Sequence, residues 1–281
     1  MTPEELSAAL LINNCASVPY IDPMNPDRPL VLDCYRPDTH TPDKPVVLVL
    51  HGKLRDGTRL RHRWMPAADR HGLLFVAITF PIESWPGLTI FSEGYVYDTE
   101  GTVRPRQNWA LAVPARVFAL LRAAGLCTRD KAHLWGYSAG AQFVHRLMAT
   151  QPHDIFAAVG VASAGWYTMP TLDRLYPDGL GGIGLSDEDI VKYLGYPMEV
   201  FVGDQDTDRD NLGKSGMAKM QGPHRLARGM KYVEIGREEA AKRGVPCRWK
   251  FIAAPDISHM GRFMSVFTAS YWFDGQGAAS L

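Results

Sequence analysis

Apolar residues along the chain fall into short runs. Val46–Leu50 is apolar throughout and mostly β-branched, and 73–80 is apolar except for Thr79 and ends before Pro81. Further largely apolar runs cover 132–135, 157–161, 198–202 and 249–254. Runs of this length suit strands buried on both faces of a parallel sheet. Helical spacing lies between them. In 114–124, Val117, Leu120 and Leu121 share one side and Pro114 suits a first helical turn. In 141–149, Phe143, Val144, Leu147 and Met148 do the same. Strands alternating with helices imply crossover connections, so the pattern predicts an α/β fold with a mostly parallel central sheet flanked by helices. Leu30–Tyr35 alternates weakly and reads as an antiparallel edge strand. Two long irregular stretches, 81–108 and 165–197, interrupt the pattern. Loops at the carboxyl ends of parallel strands are where such folds place substrate sites, so both are expected to form pocket walls or a small lid. The 281 residues read as one domain, with 1–27 as an N-terminal extension.

Composition narrows the function little. Thirty basic and 30 acidic residues give a formal net charge of zero, so no global field points to nucleic acid or an anionic membrane. The four cysteines, Cys15, Cys34, Cys127 and Cys247, are scattered with no CxxC pair, which favours buried or free thiols over a zinc site. Cys15 with Cys34 is the pair to examine for a disulfide. The N-terminus is acidic, and its apolar stretch breaks at Asn13 and Asn14, unlike a secretory signal. No run approaches the roughly 20 apolar residues of a membrane span. A cytoplasmic location is therefore expected, without a nucleic-acid or membrane partner.

The pentapeptide Gly136-Tyr137-Ser138-Ala139-Gly140 matches G-x-S-x-G. Its context gives it weight. A strand pattern precedes it and a helix pattern follows, so Ser138 falls on a strand-to-helix turn, as a nucleophile elbow requires. The turn is tight enough to demand glycine on both sides. The helix N-terminus offers free N–H groups to a developing negative charge.

A serine hydroxyl needs a base, and in a fold of this kind the acid and the histidine follow the serine in the chain. Of the nine histidines, His145 and His153 follow Ser138 with no strand and acid before them, and His224 sits in a polar turn. His259 follows the 249–254 strand and is the expected base. The acid should end the preceding strand, 198–202, which runs into Gly203-Asp204-Gln205-Asp206-Thr207-Asp208-Arg209-Asp210. Alternating aspartates also suggest calcium, but the loop lacks the glycine and terminal glutamate of an EF-hand. The Gly-x-x-Asp spacing favours Asp206, with Asp208 as the alternative. The strand 46–50 ends in His51-Gly52-Lys53, where the N–H of Lys53, with that of Ala139, would form an oxyanion hole. His51 precedes the serine and reads as a brace for that loop.

Trp166 and Tyr167 follow the 157–161 strand and suggest a flat platform for a ring-shaped acyl group, or packing under a lid. Trp85, Phe91, Tyr95 and Tyr97 would face them. Lys53, Arg55, Arg59, Arg61 and Arg63, opposed only by Asp56, read as a solvated basic helix face; the alternative is attraction for a substrate carboxylate.

At these residues the chain resembles the α/β-hydrolase superfamily, and within it the polyhydroxybutyrate depolymerase and feruloyl esterase-like branch. The resemblance runs from about Arg28 to the C-terminus. It rests on the His51-Gly52 turn, the Gly-Tyr-Ser-Ala-Gly-Ala-Gln-Phe elbow, the Gly-x-x-Asp loop and the late Ser-His. A group of bacterial hydrolases shares Gln107-Asn108-Trp109, the segment 164–170 and the segment 221–225. The resemblance implies an α/β-hydrolase fold and a triad of Ser138, Asp206 and His259. It also implies acyl-enzyme chemistry without cofactor or metal, on a small-molecule or oligomeric ester. Amide cleavage by the same triad and a non-catalytic binding protein are the competing readings.

Overall fold

Five residues in a row without a polar side chain cannot present a face to water, and Val46–Leu50 is accordingly buried throughout. It lies in the middle of an eight-stranded sheet in the computed structural model, which describes residues 1–275 apart from 153, 210, 211, 214 and 215. The strands are β1 (Ser17–Tyr20), β2 (Leu30–Tyr35), β3 (Val46–Leu50), β4 (Leu74–Thr79), β5 (Ala132–Tyr137), β6 (Phe156–Ala162), β7 (Met198–Gly203) and β8 (Lys250–Ala254). Their spatial order is β1-β2-β4-β3-β5-β6-β7-β8. β2 pairs antiparallel with β1 and β4, and from β4 to β8 every pairing is parallel. The sheet therefore has the mostly parallel character predicted, with Leu30–Tyr35 antiparallel, though β1 rather than β2 forms the edge.

The helices are α1 (Pro3–Ile12), α2 (Gly57–His71), the single turn α3 (Gly87–Ile90), α4 (Val113–Ala123), α5 (Ala139–Thr150), α6 (Asp187–Gly195), α7 (Gly216–Met220), α8 (Arg225–Lys242) and α9 (Gly261–Phe273). α2 and α9 cover one face of the sheet through Leu60, Trp64, Ala68, Met264 and Ala269. α4, α5, α6 and α8 cover the other. No helix among the described residues is long and apolar enough to cross a membrane.

Several elements depart from the sequence reading. The stretch 165–197 is not wholly irregular, because Ser186 and Asp189 close a reciprocal capping box that starts α6. α2 carries the basic cluster, yet its arginines are not uniformly solvated. Arg61 is buried and donates to the carbonyl oxygen of Ala16, tying the helix to β1. All four cysteines are free thiols, and burial pushes the Cys34 thiol up to about 12.

Two buried histidines splice loops onto this frame. His51 Nε2 accepts the Phe80 N–H at 2.9 Å, which leaves the proton on Nδ1 for the Gly52 carbonyl at 3.0 Å. His145 Nε2 accepts the Thr168 N–H at 2.9 Å, and its Nδ1 donates to the Ala141 carbonyl at 2.9 Å. Burial first, then the adjacent Arg55, lowers His51 to about 3. Burial, then Arg146, holds His145 well below its usual range. Beside them, fully buried Arg146 donates to the carbonyl of Ser92 and the hydroxyl of Thr168, joining the stretches 81–108 and 165–197.

Both histidines are neutral in the fold and free to protonate once unfolded. Below about pH 6.5 the unfolded chain binds protons that the folded chain refuses. Their contribution to stability is therefore complete above that pH and is lost as pH falls below it, for His51 toward about 3. At pH 5 the unfolding free energy should be lower than at pH 7.5 by about 2 kcal/mol from His51 alone, with His145 acting in the same direction. Urea titrations at the two pH values check this, and equal stabilities would contradict it.

Candidate active site

Ser138 sits where β5 turns into α5. Its backbone adopts φ 56° and ψ −110°, a left-handed conformation that costs a non-glycine residue about 1–3 kcal/mol. Hydrogen bonds on both sides hold it there. The Ser138 N–H donates to the Ala162 carbonyl at the end of β6, and the Gln142 N–H donates to the Ser138 carbonyl. The turn also needs bare backbone. A Cβ on Gly140 would overlap the Leu50 carbonyl, and one on Gly136 would overlap the Gly140 carbonyl. The close approach brings the N-terminus of α5 against the end of β3. Ala139, the first residue of α5, sits at the positive end of a helix whose twelve residues are all buried.

The loops that carry Asp206 and His259 are stitched to each other. The Asp204 N–H donates to the Ala254 carbonyl at 3.0 Å, and the Gln205 N–H to the Ile257 carbonyl at 3.1 Å. These bonds set the end of β7 beside the end of β8. Asp206 is fully buried, and its Oδ2 accepts from His259 Nδ1 at 2.9 Å. Asp208, the alternative acid, is exposed. The other Asp206 oxygen faces Arg225 Nη1 at 3.5 Å, and Arg225 is itself only 3% exposed. The Leu226 N–H donates to the Asp206 carbonyl, so the first turn of α8 anchors the acid loop. Sequence reasoning marked the segment 221–225 as distinctive but gave Arg225 no role; only the fold brings it to the acid.

The Tyr137 ring stacks on the His259 imidazole, with centroids 5.0 Å apart and planes at 22°. Burial, then the Asp206 charge, raises the Tyr137 hydroxyl above its usual range. Ser138 and His259 open onto one cleft of about 360 Å³, in the range of small-ligand sites. Lys53 lies on the same cleft. Its wall comes from 52–63 and 259–262; among the described residues, 81–108 and 165–197 supply no lining side chain.

His51 braces the loop that carries Lys53, as its position suggested, and holds it to Phe80. Arg55 does similar work. Its guanidinium covers the Phe91 ring at 4.0 Å and donates to the carbonyls of Phe80, Trp85 and Gly87. It is a tie to the 81–108 stretch and has no reach to spare for a ligand.

The aromatic platform is not present as predicted. Tyr167 is fully buried and stacks on Tyr232 with centroids 4.2 Å apart. Gln221 holds it there by accepting the Tyr167 N–H and donating to the Tyr167 carbonyl, both at 2.8 Å. Packing beneath a loop, the second reading of this segment, describes it. Trp166 is half-buried under the Arg146 guanidinium, 4.5 Å from the ring centre, and does not line the Ser138 cleft. Trp85 and Phe91 are also buried, in an aromatic cluster with Phe80 behind the Lys53 loop.

Neither a protein-family model nor a curated protein matches the chain. Among solved structures it is similar to the poly(3-hydroxybutyrate) depolymerase LpqC of Bordetella parapertussis. Identity is 45% over 98% of this chain and 95% of that one, with a TM-score of 0.95. It is also similar to poly(aspartic acid) hydrolase-1 of Sphingomonas sp. KT-1, at 30% identity over 91% of this chain and 97% of that one, with a TM-score of 0.86. The S-formylglutathione hydrolase of Agrobacterium tumefaciens shares the fold at 13% identity over 91% and 92% of the two chains, with a TM-score of 0.58.

The elbow's dependence on bare backbone gives a structural test. Gly140→Ala forces the start of α5 away from the end of β3, an overpacking worth about 1–3 kcal/mol. A thermal melt should drop by roughly 3–10 °C, and an unchanged melt would mean that the approach is not tight.

Proposed function

The chain belongs to the α/β-hydrolase superfamily, in its polyhydroxybutyrate depolymerase and feruloyl esterase-like branch, and from that premise we propose that it is a serine hydrolase cleaving carboxylic esters through an acyl-enzyme. One observation carries the reading. A fully buried aspartate holds the Nδ1 side of a histidine that shares its cleft with a serine on a strained strand-to-helix turn. The substrate is a small-molecule or oligomeric ester, and a polyester-type chain accords with the relative at 45% identity.

In this mechanism Ser138 Oγ attacks the ester carbonyl while His259 Nε2 takes its proton. Asp206 fixes the imidazole with its proton on Nδ1 and stabilises the imidazolium that forms. The N–H groups of Ala139 and Lys53 receive the oxyanion. Collapse of the tetrahedral intermediate breaks the C–O bond, and His259 returns the proton to the departing alkoxide. Water, deprotonated by the same histidine, then releases the acid and restores Ser138. The first turn of α5 contributes positive potential where charge develops.

Amide cleavage is the second reading, favoured by the similarity to the poly(aspartic acid) hydrolase. The same triad serves it, with an amine as leaving group. Matched ester and amide substrates separate the two.

Ser138→Ala should lower p-nitrophenyl butyrate turnover by at least about 10⁴-fold without altering the circular dichroism spectrum. Asp206→Asn should lower kcat by about 10³–10⁴-fold, and Asp208→Asn by less than about threefold. Equal losses in the two aspartate variants would remove Asp206 from its role. Retained activity in Ser138→Ala would remove the nucleophile.

A further inference from the structure

The cleft beside Ser138 is lined by four cationic side chains, Lys53, Arg59, Arg63 and Arg262, and one carboxylate, Asp56. Asp56 is already engaged. It caps α2 by accepting the Arg59 N–H at 2.8 Å and pairs with Arg59 Nε at 3.2 Å. Arg63 and Arg262 have no hydrogen bond or ion pair among the described residues. Arg63 is half-buried, and its Nη1 lies against the bare Cα of Gly261, two residues past His259. Its charged neighbours are the cations Arg59 and Arg262 and the carboxylate of Asp56, which Arg59 already engages; burial, then Arg59, lowers its pKa, and Tyr137 and Asp56 offset only part of that. A partly desolvated guanidinium crowded by like charges is costly unless an anion joins it.

The position of these arginines says which part of a substrate they meet. Arg262 is the second residue of α9, three residues after the base, and Arg63 reaches the same backbone from α2. In acyl transfer the histidine hands its proton to the leaving oxygen, so the leaving group lies on the histidine side of the scissile bond. Resting on the ester-hydrolase reading above, we propose that Arg63 and Arg262 form a carboxylate-binding subsite on the leaving-group side, selecting esters whose alcohol portion is a hydroxycarboxylate.

The chemistry of such a substrate is specific. Ser138 Oγ forms the acyl bond, the ester C–O bond breaks, and the alkoxide takes its proton from His259. It departs as a free hydroxy acid whose carboxylate had been held by the two arginines. The final linkage of any linear hydroxy-acid oligomer has this form, since the unit beyond it ends in a free carboxylate. The subsite therefore favours removal of units from the carboxyl end of short oligoesters over cleavage within a long neutral chain.

The test compares initial rates on 3-(butanoyloxy)butanoate and on its methyl ester, in which a methyl group caps the leaving group's carboxylate and removes its charge. Release of the butanoyl group is followed by chromatography, and p-nitrophenyl butyrate serves as a neutral reference. The wild type should show a kcat/KM at least about tenfold higher for the anion. Arg63→Gln and Arg262→Gln should each reduce that ratio by about tenfold, and Arg63→Lys should restore part of it. Addition of 0.5 M sodium chloride should narrow the ratio in the wild type. Equal rates for anion and methyl ester, or a ratio unmoved by both arginine variants, would overturn the subsite while p-nitrophenyl butyrate turnover leaves the esterase reading intact. Absence of turnover of all three esters would instead overturn the esterase reading, and the subsite with it. Arg262 is exposed, so its variant keeps the test available if Arg63→Gln fails to fold.

Discussion

A carboxylate withdrawn entirely from water is the constraint around which the rest of this site is arranged. An ion in such a place is stable only if hydrogen bonds and counter-charge replace its hydration. Asp206 has both: the His259 N–H on one oxygen, and Arg225, nearly as buried, facing the other. Each demand reaches further into the fold. Holding Asp206 at the end of β7 requires the backbone clip to the Ala254 and Ile257 carbonyls, and that clip delivers His259 from the end of β8. Bringing Arg225 to the same point requires α8 to begin there, and its Leu226 N–H binds the Asp206 carbonyl. The carboxylate bonded to His259 thus also organises the strand ends and the start of a helix.

The opposite half of the site depends on neutral buried groups. His51 and His145 each use one ring nitrogen to accept a loop N–H and the other to donate to a carbonyl. Charged, they would lose the acceptor and pay for desolvation. They fasten the loop behind Lys53 and the loop beyond β6, while Arg146 links the stretches that those loops begin. The long stretches thereby act as a packed shoulder beside the sheet, and the cleft is walled by α2 and by the start of α9.

The legibility of the sequence follows the same physics. Strands buried on both faces leave an unmistakable apolar run, and β3 coincides with its pattern residue for residue. The elbow is readable because tight backbone approach demands glycine at fixed offsets from Ser138. His259 and Asp206 emerged from chain order and their positions after strands, which the observed pairing now joins geometrically. α2 and α8 are harder to see. Their apolar faces are narrow, Leu60-Trp64-Ala68 in the one and Gly229-Tyr232-Val233-Gly236-Ala240 in the other, amid many charges. Tyr167 shows a limit of another kind. An aromatic residue after a strand can face a pocket or the core, and only the Gln221 amide, far off in sequence, turns it inward. Arg225 was equally invisible, since nothing local says that a helix start will meet an acid loop.

The central claim is that this arrangement makes one hydroxyl, that of Ser138, a nucleophile. Incubation with a fluorophosphonate followed by peptide mass spectrometry tests it without any assumption about the substrate. The account predicts a single adduct on the peptide carrying Ser138, absent from Ser138→Ala. An unmodified protein, or an adduct on another residue that persists in Ser138→Ala, would contradict it.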